Sequence, residues 1–238
     1  MINLMYHHVN SDRCSNNIEV FEKHMQYIAS HFQTTFPTKK ELKGKYACLV
    51  FDDAYADFYY LTFPILKKYN IKALLAVPTK YILDVCSQTP EVRMSFEHND
   101  EFKNYEKGTF CTFKEMKEMI ESGLVQIASH SHTHTNLLEE DVNIKEELIL
   151  SQQILEEKLS IKVESFVFPF GKYNDAIATE TLNYYTYAFR IGNAIHKDFS
   201  GIKGINYRVD ADGLSTADEI FTFKKQLGYK FKAFIKSF

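Results

Sequence analysis

Tryptophan is absent from the 238 residues, cysteine occurs four times, and neither basic charge nor long apolar runs are in excess. The cysteines, Cys14, Cys48, Cys86 and Cys111, are scattered with no Cys-x-x-Cys pair. That spacing excludes a disulfide framework and a zinc knuckle, and it favours a reducing compartment. Cys48 lies inside an apolar run and reads as a small core residue. No stretch is apolar enough to span a bilayer. Met1–His8 lacks the basic and apolar regions of a signal peptide, so the expected location is the cytoplasm, extending to the inner face of the membrane. A formal charge of −3 offers no global field for nucleic acid or an anionic surface. Glycine is sparse, and no Gly-rich phosphate loop is present.

What the chain does hold is an ordinary globular share of apolar and charged residues, 45% and 25%, with 15 Tyr and 20 Phe. The length suits a single domain over residues 1–238. Such an aromatic load fits a carbohydrate-handling surface, although core filling is its commoner use.

Short apolar runs alternate with helical spacing from end to end. Strands are expected over Ile2–Tyr6, Tyr46–Phe51, Ile71–Val77, Leu124–Ala128, Val163–Phe168, Thr186–Ile191 and Ile205–Val209. Between them, Phe21, Met25, Ile28 and Phe32 recur at helical spacing, Phe58–Tyr69 reads as a helix carrying Pro64, and Thr112-x-x-Glu115 forms a capping box closed at Gly123. Ile144, Leu148, Leu155 and Leu159 mark a longer helix with acids at its start, and a closing helix is expected over Ala217–Leu227. The repeated strand–helix units imply a parallel α/β sheet, and the absent phosphate loop favours a closed barrel over an open doubly wound sheet. Residues 84–110 break the rhythm and read as a long surface insertion flanking the active face.

Chemistry gathers just past the strand ends. Leu49-Val50-Phe51 runs into Asp52-Asp53, Ile127-Ala128 into Ser129-His130-Ser131-His132-Thr133-His134, and Phe166-Val167-Phe168 into Pro169-Phe170-Gly171. On a helical turn His130 and His134 would share one face and could meet a single cation. Alone, that pair is equally compatible with capping or surface roles. An Asp at another strand end changes the balance, because two imidazoles and one carboxylate leave coordination positions open for water and substrate. Asp52-Asp53 alone would ordinarily be a helix cap, but Asp57 is the better cap for the helix that follows. One aspartate can ligate while its neighbour takes a proton.

The order Phe-Asp-Asp, His-Ser-x-x-His, Pro-aromatic-Gly resembles the NodB-homology polysaccharide deacetylases, or carbohydrate esterase family 4. Leu4-Met5-Tyr6-His7 and Phe168-Pro169-Phe170-Gly171-Lys172-Tyr173-Asn174 are similar to the branch containing poly-N-acetylglucosamine deacetylases. The resemblance implies a distorted (β/α)7 barrel that removes N-acetyl groups from amino sugars of a saccharide or glycoconjugate precursor. It assigns the general base to Asp52 and the metal ligands to Asp53, His130 and His134. The cofactor it implies is one divalent ion, zinc first, with cobalt, nickel, manganese or iron as alternatives. Through its backbone N–H, Phe170 next to Pro169 would help hold the oxyanion. This chain departs from the family at Val50, Ala54 and Phe170, which replace Thr, Gly and Tyr. The third motif lacks its Arg, so no residue is assigned to orient Asp52. The Leu-x-His that carries the general acid is missing as well, leaving His7, His132 and His196 as candidates, ranked in the order His7, His196, His132. Arg208 and Asp210 are expected past the last strand, at the rim.

Rival readings are a deformylase or cyclic-imide amidohydrolase on the same scaffold, a sugar-binding homologue that lost activity, and a non-haem iron oxygenase with the same ligand set. The last normally uses an antiparallel barrel, which this pattern does not suggest.

Overall fold

The computed structural model describes all 238 residues. Seven parallel strands close into a ring: β1 (Ile2–Tyr6), β2 (Tyr46–Phe51), β3 (Ala73–Val77), β4 (Val125–Ser129), β5 (Ser165–Val167), β6 (Tyr187–Ile191) and β7 (Ile205–Asp210). Each pairs with its neighbour in sequence, and β1 completes the ring by pairing with both β2 and β7. A two-residue strand, Gln33–Thr34, adds to the outer end of β2. Helices α1 (Ile18–His31), α2 (Phe63–Tyr69), α3 (Phe113–Glu121), α4 (Ile144–Leu159) and α5 (Asp175–Tyr184) make the first five crossovers. Helix α6 (Phe223–Lys236) follows β7. The β6–β7 connection carries no helix, and this is where the barrel is distorted.

Both faces of the strands are buried, which explains their nearly continuous apolar text. Outward residues such as Leu49, Phe51, Leu75 and Ile127 join a 47-residue cluster with the helices. The alternate set, including Cys48, Val50, Leu74, Ala76, Ala128, Val167 and Phe189, forms a separate cluster of nine. Side chains alternate with period two along a strand, so this second set fills the ring. The same parity carries Met5 on to His7, Val50 to Asp52, Ala128 to His130, and Asn206 to Arg208. All four of those polar side chains therefore point to the interior at one end of the barrel.

Several expectations change in detail. Phe58–Tyr69 is a π-turn over Phe58–Thr62 followed by α2, with Pro64 in the first turn of α2, where its missing N–H is harmless. Asp57 makes no capping bond; instead its Oδ2 accepts the Val9 N–H at 2.7 Å and lies 3.2 Å from His8 Nδ1. The Thr112–Glu115 capping box and the turn at Gly123 are present. Residues 84–110 are better anchored than their polar text suggests. Buried Arg93 bonds the carbonyls of Gly108 and Phe110 and forks onto Glu115, which pins the insertion to α3. The last helix begins at Phe223 rather than Ala217, because residues 219–221 form a short 3-10 turn first.

Candidate active site

One cavity of about 470 Å³ opens at the strand C-termini, lined by residues that include His7, Asp52, Asp53, His130, His134, Phe170 and Arg208. The insertion contributes His98, Asn99 and Phe102 to its wall, so it borders the site as expected.

Asp52 continues the inward parity of β2, and the chain then turns sharply. Asp53 and Ala54 both take left-handed backbone conformations, φ +67° and +58°, which bring Asp53 to the same cavity as Asp52. Ala54 thus occupies a conformation that favours glycine, the residue that the resemblance led one to expect there.

His130 and His134 do meet, but not across a helical turn. Residues 130–136 are irregular, with φ +64° at Ser131 and +54° at His134. The loop is held by Glu147 at the start of α4, whose carboxylate accepts the N–H groups of His132 and Thr133, each at 2.8 Å, and the Thr133 hydroxyl at 2.6 Å. Ser131 Oγ accepts the His134 N–H at 3.0 Å. In sequence Glu147 is only an acid favoured at a helix N-terminus, and nothing there reveals its reach to this loop.

Asp53, His130 and His134 each offer one ligand atom, and these atoms lie within 4.8 Å of one another. Asp53 Oδ1 is 3.0 Å from His134 Nε2 and 3.4 Å from His130 Nε2, yet it is buried without a hydrogen-bond partner. An orphaned carboxylate oxygen facing two imidazole nitrogens is what a shared cation would satisfy. His130 donates from Nδ1 to the Val167 carbonyl at 2.7 Å, which leaves the Nε2 lone pair free for a metal. Burial pushes His130 down to about 4, so it is neutral at pH 7, as a ligand must be. The His134 ring is flanked by Phe102, stacked at 4.7 Å, and Phe170 at 4.8 Å. Phe102 belongs to a self-packed cluster with Tyr81 and Phe110, and Tyr105 packs on Tyr81.

Arg208 is not at the rim. It lies within β7, fully buried, and forks onto Asp52 with Nη1 to Oδ1 at 2.5 Å and Nη2 to Oδ2 at 2.9 Å. Burial opposes ionisation of Asp52, but the guanidinium outweighs it and holds the carboxyl below its ordinary value. Arg208, from the last strand, thus fixes the angle of the Asp52 carboxylate, for which the sequence offered no partner. Strand parity could have found it, since an inward Arg in an apolar strand needs a buried partner.

His7 stands on the other side of Asp52, with Nε2 at 3.8 Å from Oδ2. Its Nδ1 is 2.6 Å from Asp212 Oδ2, and its backbone N–H bonds Asp212 Oδ1. Burial disfavours the imidazolium, yet the Asp212 bond and the Asp52 charge dominate and raise His7 to about 10. Asp212 escaped the sequence reading because it lies beyond β7, 205 residues from its partner. The other two candidate proton donors, His132 and His196, lie outside this cavity. His132 bonds Thr79 Oγ1 at 2.9 Å, and buried His196 accepts the Tyr207 N–H at 2.7 Å. Asp210 is exposed and accepts the Asp212 N–H.

Known proteins give the arrangement a context. YxkH of Bacillus subtilis is 26% identical over 186 residues, covering 72% of this chain and 57% of that protein. A poly-beta-1,6-N-acetyl-D-glucosamine N-deacetylase of Staphylococcus aureus is 25% identical over 173 residues, 65% of this chain and 53% of that one. The chain thus spans little more than half the length of these curated relatives. The structure of Streptococcus pyogenes deacetylase PplD in complex with acetate superposes with a TM-score of 0.73 at 22% identity, covering 93% of this chain and 96% of that one, which shows a common fold. The family model for polysaccharide deacetylase matches residues 39–188, more than half of the sequence, and the chain belongs to that family.

Proposed function

We propose that this chain hydrolyses the N-acetyl amide of an amino sugar within a saccharide or glycoconjugate, using one divalent metal ion. The observation that carries the reading is the convergence of three pairings on one cavity: Asp53 with His130 and His134, Asp52 with Arg208, and His7 with Asp212. A divalent cation held by Asp53, His130 and His134 would polarise the amide carbonyl and acidify water, and zinc suits two imidazoles and a carboxylate with open positions.

The remaining work falls to the protein. Asp52 accepts the proton of the attacking water, and Arg208 fixes its orientation and keeps it ionised. The backbone N–H of Phe170, whose ring flanks His134, supports the developing oxyanion. His7 carries the proton needed by the departing amine, and Asp212 fixes its tautomer from behind, leaving Nε2 towards the cavity. This dyad favours catalysis over a binding-only role, because it gives the cavity an imidazole able to donate a proton although the sequence lacks the Leu-x-His. The Staphylococcus aureus relative, named for poly-beta-1,6-N-acetyl-D-glucosamine, points to a β-linked N-acetylglucosamine chain as substrate.

The deciding experiment is a panel of acylated amino-sugar oligomers incubated with the metal-loaded protein, with acetate, formate and free amine quantified. Metal-dependent acetate release with matching amine is expected. Formate alone, or no acyl release from any substrate, would sink the reading.

A further inference from the structure

Helix α6 presents its apolar side to solvent. At 100° per residue, Phe223, Leu227, Phe231, Phe234 and Ile235 fall within roughly 120° of arc. Tyr229, the buried residue of this helix, lies on the opposite side. The stripe is open along its length: Phe223 is 85% exposed, Phe231 63% and Phe234 62%. Phe238, just past the helix, packs edge-on against Phe234 and extends it. Single exposed apolar residues are ordinary, but a contiguous aromatic stripe on the outer face of a helix marks an interaction surface.

The charges on this helix define the partner. Residues 222–238 hold five lysines and no Asp or Glu, although the whole chain has a net charge of −3. Lys224 lies within the stripe, while Lys230 and Lys232 flank it on either side. Nearer the body, Lys236 sits over the Tyr207 ring at 4.6 Å, which sets the helix beside β7, and Lys225 bonds Glu219 at 2.7 Å in the turn that precedes the helix. A second copy of the chain docking by this face would set lysine against lysine. A negatively charged sheet with an apolar interior satisfies both features at once.

We propose that α6 is an interfacial helix that seats the protein on an anionic lipid bilayer. The phenylalanines enter the boundary between headgroups and acyl chains, and the lysine stems run along the apolar side while their ammonium groups meet lipid phosphates. With 14 residues the helix is about 21 Å long, too short to cross and suited to lying in the plane. No helix of the chain is long and apolar enough to span a membrane. The inference stands apart from the deacetylase reading, since it uses none of the cavity residues.

Vesicle flotation with the full chain tests it, comparing phosphatidylcholine alone with phosphatidylcholine containing phosphatidylglycerol. Binding to the anionic vesicles should be at least about tenfold stronger and should weaken as salt is raised. Phe231→Ser with Phe234→Ser should lower it by about tenfold or more. Lys224→Gln with Lys230→Gln and Lys232→Gln should remove the preference for anionic lipid. Circular dichroism and melting, unchanged in both variants, would show that the helix persists. Wild-type protein that stays in solution with both vesicles, or a serine variant that floats as well as wild type, overturns the proposal. So would a wild-type dimer broken by the serine variant with no vesicle binding, which assigns the stripe to self-association.

Discussion

Arg208 and Asp52 face each other through a two-pronged ion pair that joins residues 156 positions apart and is buried at the floor of the cavity. The pair sets the acidity and the angle of the carboxylate assigned as base. Arg208→Lys should retain metal and fold while lowering kcat by about 10² or more, because an ammonium cannot hold both oxygens. Arg208→Met leaves a buried charge without its partner and should destabilise the chain by about 3–5 kcal/mol at pH 7. Chemical denaturation and steady-state kinetics would check both; a lysine variant with wild-type turnover would remove Arg208 from the mechanism.

The cation is the second point of test. Asp53→Asn, His130→Gln and His134→Gln should each yield folded protein without stoichiometric zinc, measured by elemental analysis. Chelation of the wild type should abolish turnover and lower the Tm, and both should return on adding metal. Asp52→Asn should keep its metal while losing about 10²–10⁴ of the rate. Full metal content in any of the three ligand variants would refute the assignment.

His7 gives a prediction in pH. It must hold a proton to donate one, and Asp212 together with Asp52 raises it to about 10 against the effect of burial. The activity should therefore persist through neutral pH and fall on the basic side as His7 loses its proton; a bound cation would bring that limb lower. Asp212→Asn removes the bond that favours the imidazolium, so the basic limb of kcat/KM should move to lower pH by about one unit or more. In His7→Gln the limb should vanish along with most of kcat. An Asp212→Asn profile superposable on wild type would falsify the dyad.

Glu101, in the insertion, is buried with Oε2 unpartnered, and burial and then the charge of Asp57 raise it from 4.5 to about 10. Between those values the folded chain keeps a proton that the unfolded chain releases, so stability falls as pH rises through that window. Glu101→Gln replaces the ionisable group with a neutral one of the same shape. At pH 8 it should stabilise by about 1–3 kcal/mol, and at pH 4 by almost nothing. Thermal melts at the two pH values decide; an equal effect at both would mean that ionisation is irrelevant.

Much of this molecule could be read before folding, and the reasons are local. The strands Ile2–Tyr6 and Tyr46–Phe51 are found where the apolar runs place them, since a strand buried on both faces must be apolar throughout. Asp53 and His130 were legible because each lies just past a strand end, His134 because it follows four residues on, and Thr112–Glu115 because a capping box lies within four residues. Misreadings arose where tertiary contact decides. A four-residue spacing suggested a helical turn for His130 and His134, yet Glu147 holds an irregular loop there. Arg208 read as a rim residue because its partner is 156 positions away. Asp212 gave no signal at all, since only ring closure brings it to His7.

That closure has a kinetic meaning. The first strand lies between the second and the last, so the ring forms only when residues near both ends of the sequence have found each other. Contacts of such long sequence separation form late and slowly, because a large loop entropy must be lost before they stabilise anything. His7 with Asp212, and Asp52 with Arg208, are contacts of this kind. A partly folded chain could therefore already hold β2 to β5 and bring the three proposed metal ligands together while having no oriented base and no proton donor. Metal capture would precede catalytic competence during refolding, and the interval between the two would measure how long the barrel stays open.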